Sequence, residues 1–171
     1  MKITISGPPG SGKTTVAKIL SDKLKIKLIS AGEVFRQLAF DKGMSLEEFS
    51  KFAESNPEID IMIDRVQKEM AEKEKDAIVE GRLSGWMIKD ADLKVYIFAD
   101  AEVRYSRIAQ REGKDISTVK RETKIREEIE RRRYQKFYSI DLGDWRVYDL
   151  IINSNKISAE KIAEIIITAL K

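Results

Sequence analysis

Gly7-Pro8-Pro9-Gly10-Ser11-Gly12-Lys13-Thr14 is the stretch that decides the fold. It satisfies G-x-x-x-x-G-K-[ST] at every fixed position. It also lies between a strand-like run, Ile3 to Ser6, and an amphipathic helix, Lys13 to Leu24, with Val16, Ile19, Leu20 and Leu24 at helical spacing. Glycines here let the backbone curl so that several N–H groups face one anion, and the helix beginning near Lys13 adds its positive end. Lys13 then reaches the β- and γ-phosphates of a nucleoside triphosphate as a point charge, the Thr14 hydroxyl ligates Mg²⁺, and Thr15 contacts the α-phosphate. The expected phosphate cradle is thus Gly7, Pro8, Pro9, Gly10, Ser11, Gly12, Lys13, Thr14 and Thr15.

Outward from the loop, short apolar runs alternate with longer helical patterns, the signature of a parallel α/β domain. Ile26 to Ser30, Ala77 to Glu80, Lys94 to Phe98 and Leu150 to Ile152 read as four further strands. Gly32 to Lys42 reads as a helix. Ser45 is a good N-cap, with Glu47 and Glu48 in the first turn behind it, and Pro57 opens another helix. Ala101 to Glu112 and Ser117 to Tyr138 are helices joined by a polar Gly113-Lys114-Asp115 link, and Ser158 caps a last helix to Leu170. The expected fold is α/β: a five-stranded parallel sheet flanked by helices. One domain spans residues 1–171, with a helical insertion at about 32–73 and a lid with its flanking helix at about 107–133. No repeat or low-complexity linker argues for a second unit.

Composition narrows the chemistry. The 171 residues contain no Cys and no His, which excludes disulfides, thiol nucleophiles, Cys/His zinc sites and serine–histidine triads. Lys and Arg (32) nearly balance Asp and Glu (29) for a net charge of +3, so the question is where the arginines converge, not how many there are. Phosphoryl transfer suits such an inventory, because the protein contributes mainly positioning and charge stabilisation. The chain opens directly into a strand, without the apolar core of a signal peptide. No run approaches the ~20 apolar residues of a membrane span, so a cytoplasmic protein with no membrane partner is expected.

Three segments together carry a family resemblance: Gly7 to Thr15, Ser30-Ala31-Gly32-Glu33-Val34-Phe35-Arg36, and Val79-Glu80-Gly81-Arg82. They resemble the cytidylate kinases, in particular their short archaeal branch, over nearly the whole chain. The resemblance implies transfer of the γ-phosphoryl of Mg-ATP to CMP or dCMP. Independently of that, Ser30 and Gly32 end a strand at the edge where open α/β sheets bind ligands, and Arg36, a turn on, suits a forked contact to the acceptor phosphate. By resemblance, Arg82 is a second clamp on that phosphate. The helix residues Arg126, Glu130 and Arg133 are similar to the R-x-x-x-D-x-x-R of bacterial relatives, with the arginines on phosphates and Glu130 orienting them. Arg111, with Arg107, is implied as a lid arginine that closes over ATP and stabilises the transferring group. Glu80 has two readings, a holder of a metal-bound water and a buried structural carboxylate.

The departure lies in base recognition. Where the bacterial relatives have Asp after Gly-Arg, this chain has Leu83, and Asp60, Asp64 and Arg65 offer charges on the inserted helix instead. Asp60 is the expected base-reading residue, with Asp64 the second candidate, a carboxylate there accepting from cytosine N4. The catalytic set is therefore Lys13, Arg111, Arg126 and Arg133. The acceptor set is Ser30, Gly32, Arg36, Asp60, Arg82, Arg126, Glu130 and Arg133. A monomer without a stable nucleic-acid partner is expected. Two alternatives stand beside this reading. Adenylate kinase is disfavoured by Gly81-Arg82-Leu83-Ser84 in place of Gly-Phe-Pro-Arg. An ATP-dependent RNA-binding regulator using Arg131-Arg132-Arg133 is disfavoured by the interleaved Glu127, Glu128 and Glu130.

Overall fold

A computed structural model describes residues 1–171. Its five strands are β1 (Lys2–Ser6), β2 (Lys27–Ser30), β3 (Ala77–Glu80), β4 (Leu93–Phe98) and β5 (Leu150–Asn153), all parallel in the order β2-β3-β1-β4-β5. The helices, in chain order, are α1 (Lys13–Leu24), α2 (Ala31–Asp41), α3 (Leu46–Ser55), α4 (Glu58–Glu72), α5 (Ser84–Met87), α6 (Ala101–Glu112), α7 (Ile116–Tyr138) and α8 (Ala159–Ala169). This is the expected α/β architecture, and no helix is long and apolar enough to cross a membrane.

A sheet buried on both faces needs near-continuous apolar strands, and these strands supply them. Ile3, Ile5, Val95, Ile97 and Ile152 pack against Val16 and Leu20 of α1 and against Ile162 and Ile166 of α8. The segment between β2 and β3 folds on its own small core of Val34, Ala39, Phe49, Ile59 and Ile63, in which Phe49 is wholly buried with its ring centroid 4.7 Å from that of Phe35. Ser45 and Glu48 close a capping box at the start of α3, each side chain bonding the other's backbone N–H. Helices α6 and α7 form an antiparallel hairpin about the Gly113 turn, with Asp115 capping α7.

Two short elements departed from expectation. The α5 turn follows Arg82 directly, and a 3₁₀ turn covers Trp145–Val147. Both are too brief to show a hydrophobic period. The second turn and Tyr148 just after it cover the sheet face that α1 and α8 leave open: Trp145 packs on Tyr96 and Phe98, and Tyr148 on Tyr96.

Candidate active site

Because every strand is parallel, Ser6, Ser30, Glu80, Phe98 and Asn153 end at one edge of the sheet, and the loops that follow them build the site. After β1 the chain turns through Gly10 (φ 77°) and Gly12 (φ 92°), a region costly to side-chain-bearing residues, and enters α1 at Lys13. A Cβ on Gly10 would sit 2.7 Å from the Arg104 carbonyl oxygen, so the loop also needs glycine there to pack on α6.

The loop is held by its carbonyls. Arg104 Nη1 donates to Pro9 O at 3.1 Å and also pairs with Glu127 Oε1 at 2.5 Å. Arg107 Nη1 donates to Gly10 O at 3.2 Å, and Ser154 Oγ donates to Ser11 O at 2.7 Å. Arg107 also donates to the Ser154 hydroxyl and carbonyl. Three successive carbonyls are thus occupied, which leaves the N–H side of the loop for an anion. Sequence reading missed Ser154 and Glu127, and it took Arg107 for a lid residue. In this structure Arg107 braces the loop, while Arg111 stays largely in solvent near Glu112.

Lys13 is buried, with Nζ 3.7 Å from Glu80 Oε1 and 3.5 Å from Pro8 O. Burial, then the charge of Arg82, lowers its pKa to about 7, against the raising effect of Glu80 and Glu130. The exposed Thr14 donates its hydroxyl to Glu80 Oε1 at 3.2 Å. A hydroxyl and a carboxylate this close are hard oxygen donors, and they fit Mg²⁺, which typically takes one or two protein oxygens alongside phosphates and water.

Across from the loop, Arg82 Nε donates to Glu130 Oε2 at 2.9 Å, and Arg126 Nε donates to Glu130 Oε1 at 3.1 Å. Burial pushes the Glu130 carboxyl up, but Arg82 and Arg126 outweigh it and hold the pKa below the usual glutamate value. The structure therefore brings Arg82, Arg126 and Glu130 together. Arg133 is joined instead to Asp60 of α4, two expected acceptor residues occupied with each other. Ser30 Oγ accepts from the Glu33 N–H as the N-cap of α2, and the exposed Arg36 guanidinium, without an ion pair, reaches over Gly32. Gln67, also missed, donates from α4 to Ile29 O and Glu80 O, tying the ends of β2 and β3. Arg131 and Arg132 both pair with Glu128, which interrupts the basic run.

Beside the loop is a cleft of about 450 Å³ whose lining includes Thr15, Arg107, Arg111, Ile157, Ser158 and Ile162. Its last three residues follow β5 or lie on α8, and their chemistry carried no motif.

An anion cradle opposed by two arginines on one buried glutamate, at the edge of an all-parallel sheet, defines a P-loop kinase, of the nucleoside monophosphate class. The model of the cytidylate kinase-like family matches residues 2–156, and the chain belongs to that family. It is 69% identical over 171 residues to a cytidylate kinase of Archaeoglobus fulgidus, covering 100% of this chain and 95% of that one. It is 51% identical over 160 residues to a cytidylate kinase of Methanothermobacter thermautotrophicus, covering 94% and 99%. Among solved structures, a shikimate kinase from Acinetobacter baumannii in complex with shikimate superposes with a TM-score of 0.66 at 16% identity, covering 99% and 92% of the two chains, which speaks to the fold alone.

Proposed function

We infer that the protein transfers the γ-phosphoryl of Mg-ATP to CMP or dCMP, giving ADP and CDP or dCDP. The observation that carries this reading is the face-to-face placement of two charge systems. Lys13, Thr14 and Glu80 stand on the donor side, and Arg82, Arg126 and Glu130 on the acceptor side, close enough for Arg82 and Glu130 to act on the Lys13 charge. The cytidine acceptor is supported by the family and by the curated relatives' name.

In this reading the loop N–H groups of residues 7–15 and Lys13 bind the triphosphate, and the cleft along Thr15, Ile157 and Ser158 takes the donor nucleoside. Thr14 and Glu80 would hold Mg²⁺, which would supply positive charge to neutralise the phosphates. Arg36 and Arg82 clamp the acceptor phosphate beside Ser30 and Gly32. Arg126 lies over the line of transfer, with Glu130 aiming both it and Arg82. Arg133 stays on Asp60 at the outer end of α4, and Arg111 moves in from solvent to exclude water. No side-chain nucleophile is needed, because oriented phosphates react in line.

The test is ADP release with Mg-ATP against CMP, dCMP, UMP, AMP and GMP in separate reactions. Preference for CMP and dCMP is expected, and preference for AMP would make the protein an adenylate kinase.

A further inference from the structure

We propose that Asp64, rather than Asp60, reads the acceptor base, accepting a hydrogen bond from the exocyclic amine that distinguishes cytosine from uracil. This rests on the monophosphate-kinase reading above and sharpens it. Asp60, Asp64 and Gln67 recur at i, i+4 and i+7, so they share one face of α4. Gln67 roots that face beside Gly81, where a Cβ would lie 3.0 Å from Gln67 Oε1, one residue before Arg82. The outer end of the face meets α7, where Asp60 pairs with Arg133. The base of a nucleotide whose phosphate lies on Arg82 and Arg126 therefore extends toward this face.

The two acids differ in what they have left to offer. Asp60 is spent on Arg133. Asp64 has no cation partner, and its one side-chain hydrogen bond is a long 3.4 Å contact from the Tyr138 hydroxyl. Tyr138 packs with the cluster of Leu83, Tyr134 and Ile140, so the carboxyl stands at the rim of an apolar wall with its acceptor capacity nearly unused. A half-buried carboxylate beside a second carboxylate favours a ligand group that donates hydrogen bonds and carries no negative charge. Cytosine presents N4–H₂ there. Uracil presents the O4 oxygen, which would face the carboxylate lone pairs without a proton between them.

The protonation of the carboxyl gives a second handle. Burial first, then the neighbouring Asp60 and, more weakly, Glu130 raise the Asp64 pKa to about 7, while Tyr138 and Arg133 pull the other way. Asp60 faces it from its own helix, and Glu130, Arg133, Tyr134 and Tyr138 face it from α7. Once protonated it can donate to uracil O4, so discrimination relaxes as the pH falls through about 7.

The experiment compares kcat/KM for CMP and UMP from pH 6 to 8 in the unaltered protein, Asp64→Asn and Asp64→Ala. In the unaltered protein the CMP:UMP ratio should fall on acidification. Asp64→Asn, whose amide can donate to O4, should cut the ratio at pH 8 at least tenfold and flatten its pH dependence. Asp64→Ala should weaken CMP while leaving UMP nearly unchanged. An unaltered ratio in both variants, with CMP still preferred, overturns the role of Asp64 and leaves the cytidylate reading intact. Failure of the unaltered protein to prefer CMP over UMP overturns both.

Discussion

The Thr14 hydroxyl donates to Glu80 Oε1 across 3.2 Å, joining residues 66 positions apart at the first turn of α1 and the end of β3. One carboxylate oxygen therefore orients the residue proposed as a metal ligand and also lies 3.7 Å from Lys13 Nζ. Glu80→Gln keeps the shape but removes the charge. Turnover should fall at least tenfold, and half-maximal rate should require a higher Mg²⁺ concentration. Rate against Mg²⁺ at saturating nucleotides measures this, and an unshifted curve would remove Glu80 from the metal site.

Lys13 links ATP binding to protons. Its folded-state pKa, about 7 against a model-compound 10.5, means that above about 7 the native ligand-free state binds fewer protons than the unfolded chain. This group then adds stability as the pH rises from about 7 toward 10.5. Triphosphate restores the ammonium charge, so ATP binding at pH 8 should take up protons, read by calorimetry in buffers of different ionisation heat. Lys13→Ala should abolish that uptake and lower turnover by orders of magnitude with the fold intact.

Arg82→Ala should raise KM for the monophosphate well beyond that for ATP. It also leaves the buried Glu130 with only Arg126, whose side chain is 66% exposed, so a stability loss on the order of 2–3 kcal/mol is expected. An Arg82→Ala, Glu130→Gln double variant should recover much of the stability but not the acceptor affinity. Equal loss of affinity for both nucleotides would take Arg82 out of the acceptor site.

Asp64 carries a stability cost. Its pKa is raised from 3.8 to about 7, so the penalty is absent at low pH, grows as the pH rises through this window, and is complete above about 7. Asp64→Asn should therefore raise the thermal midpoint at pH 8 by an amount worth on the order of 1–2 kcal/mol, and raise it little at pH 4. Equal shifts at both pH values would contradict the cause assigned here.

The layout was legible because its signals are local. The glycine-rich loop, the 3.6-residue spacing in α1 and the Ser45 cap each occupy a few consecutive residues, and α1 and α6 begin and end where their patterns do. The site was legible as a roster but not as a set of partnerships. Arg104 meets Pro9 across 95 positions, Arg133 meets Asp60 across 73, and Arg107 serves the loop backbone, pairings created only when α6 and α7 dock beside the sheet edge. Arg104 and Arg107 look alike on a helical wheel with Arg111; what separates them is the carbonyl each meets.

The central claim is that one phosphoryl group moves from ATP to CMP. Nucleotide chromatography of a reaction holding Mg-ATP and CMP measures this directly. CDP and ADP should appear in equal amounts without free phosphate. ADP accompanied by inorganic phosphate with CMP unchanged, or no ADP at all, would contradict it.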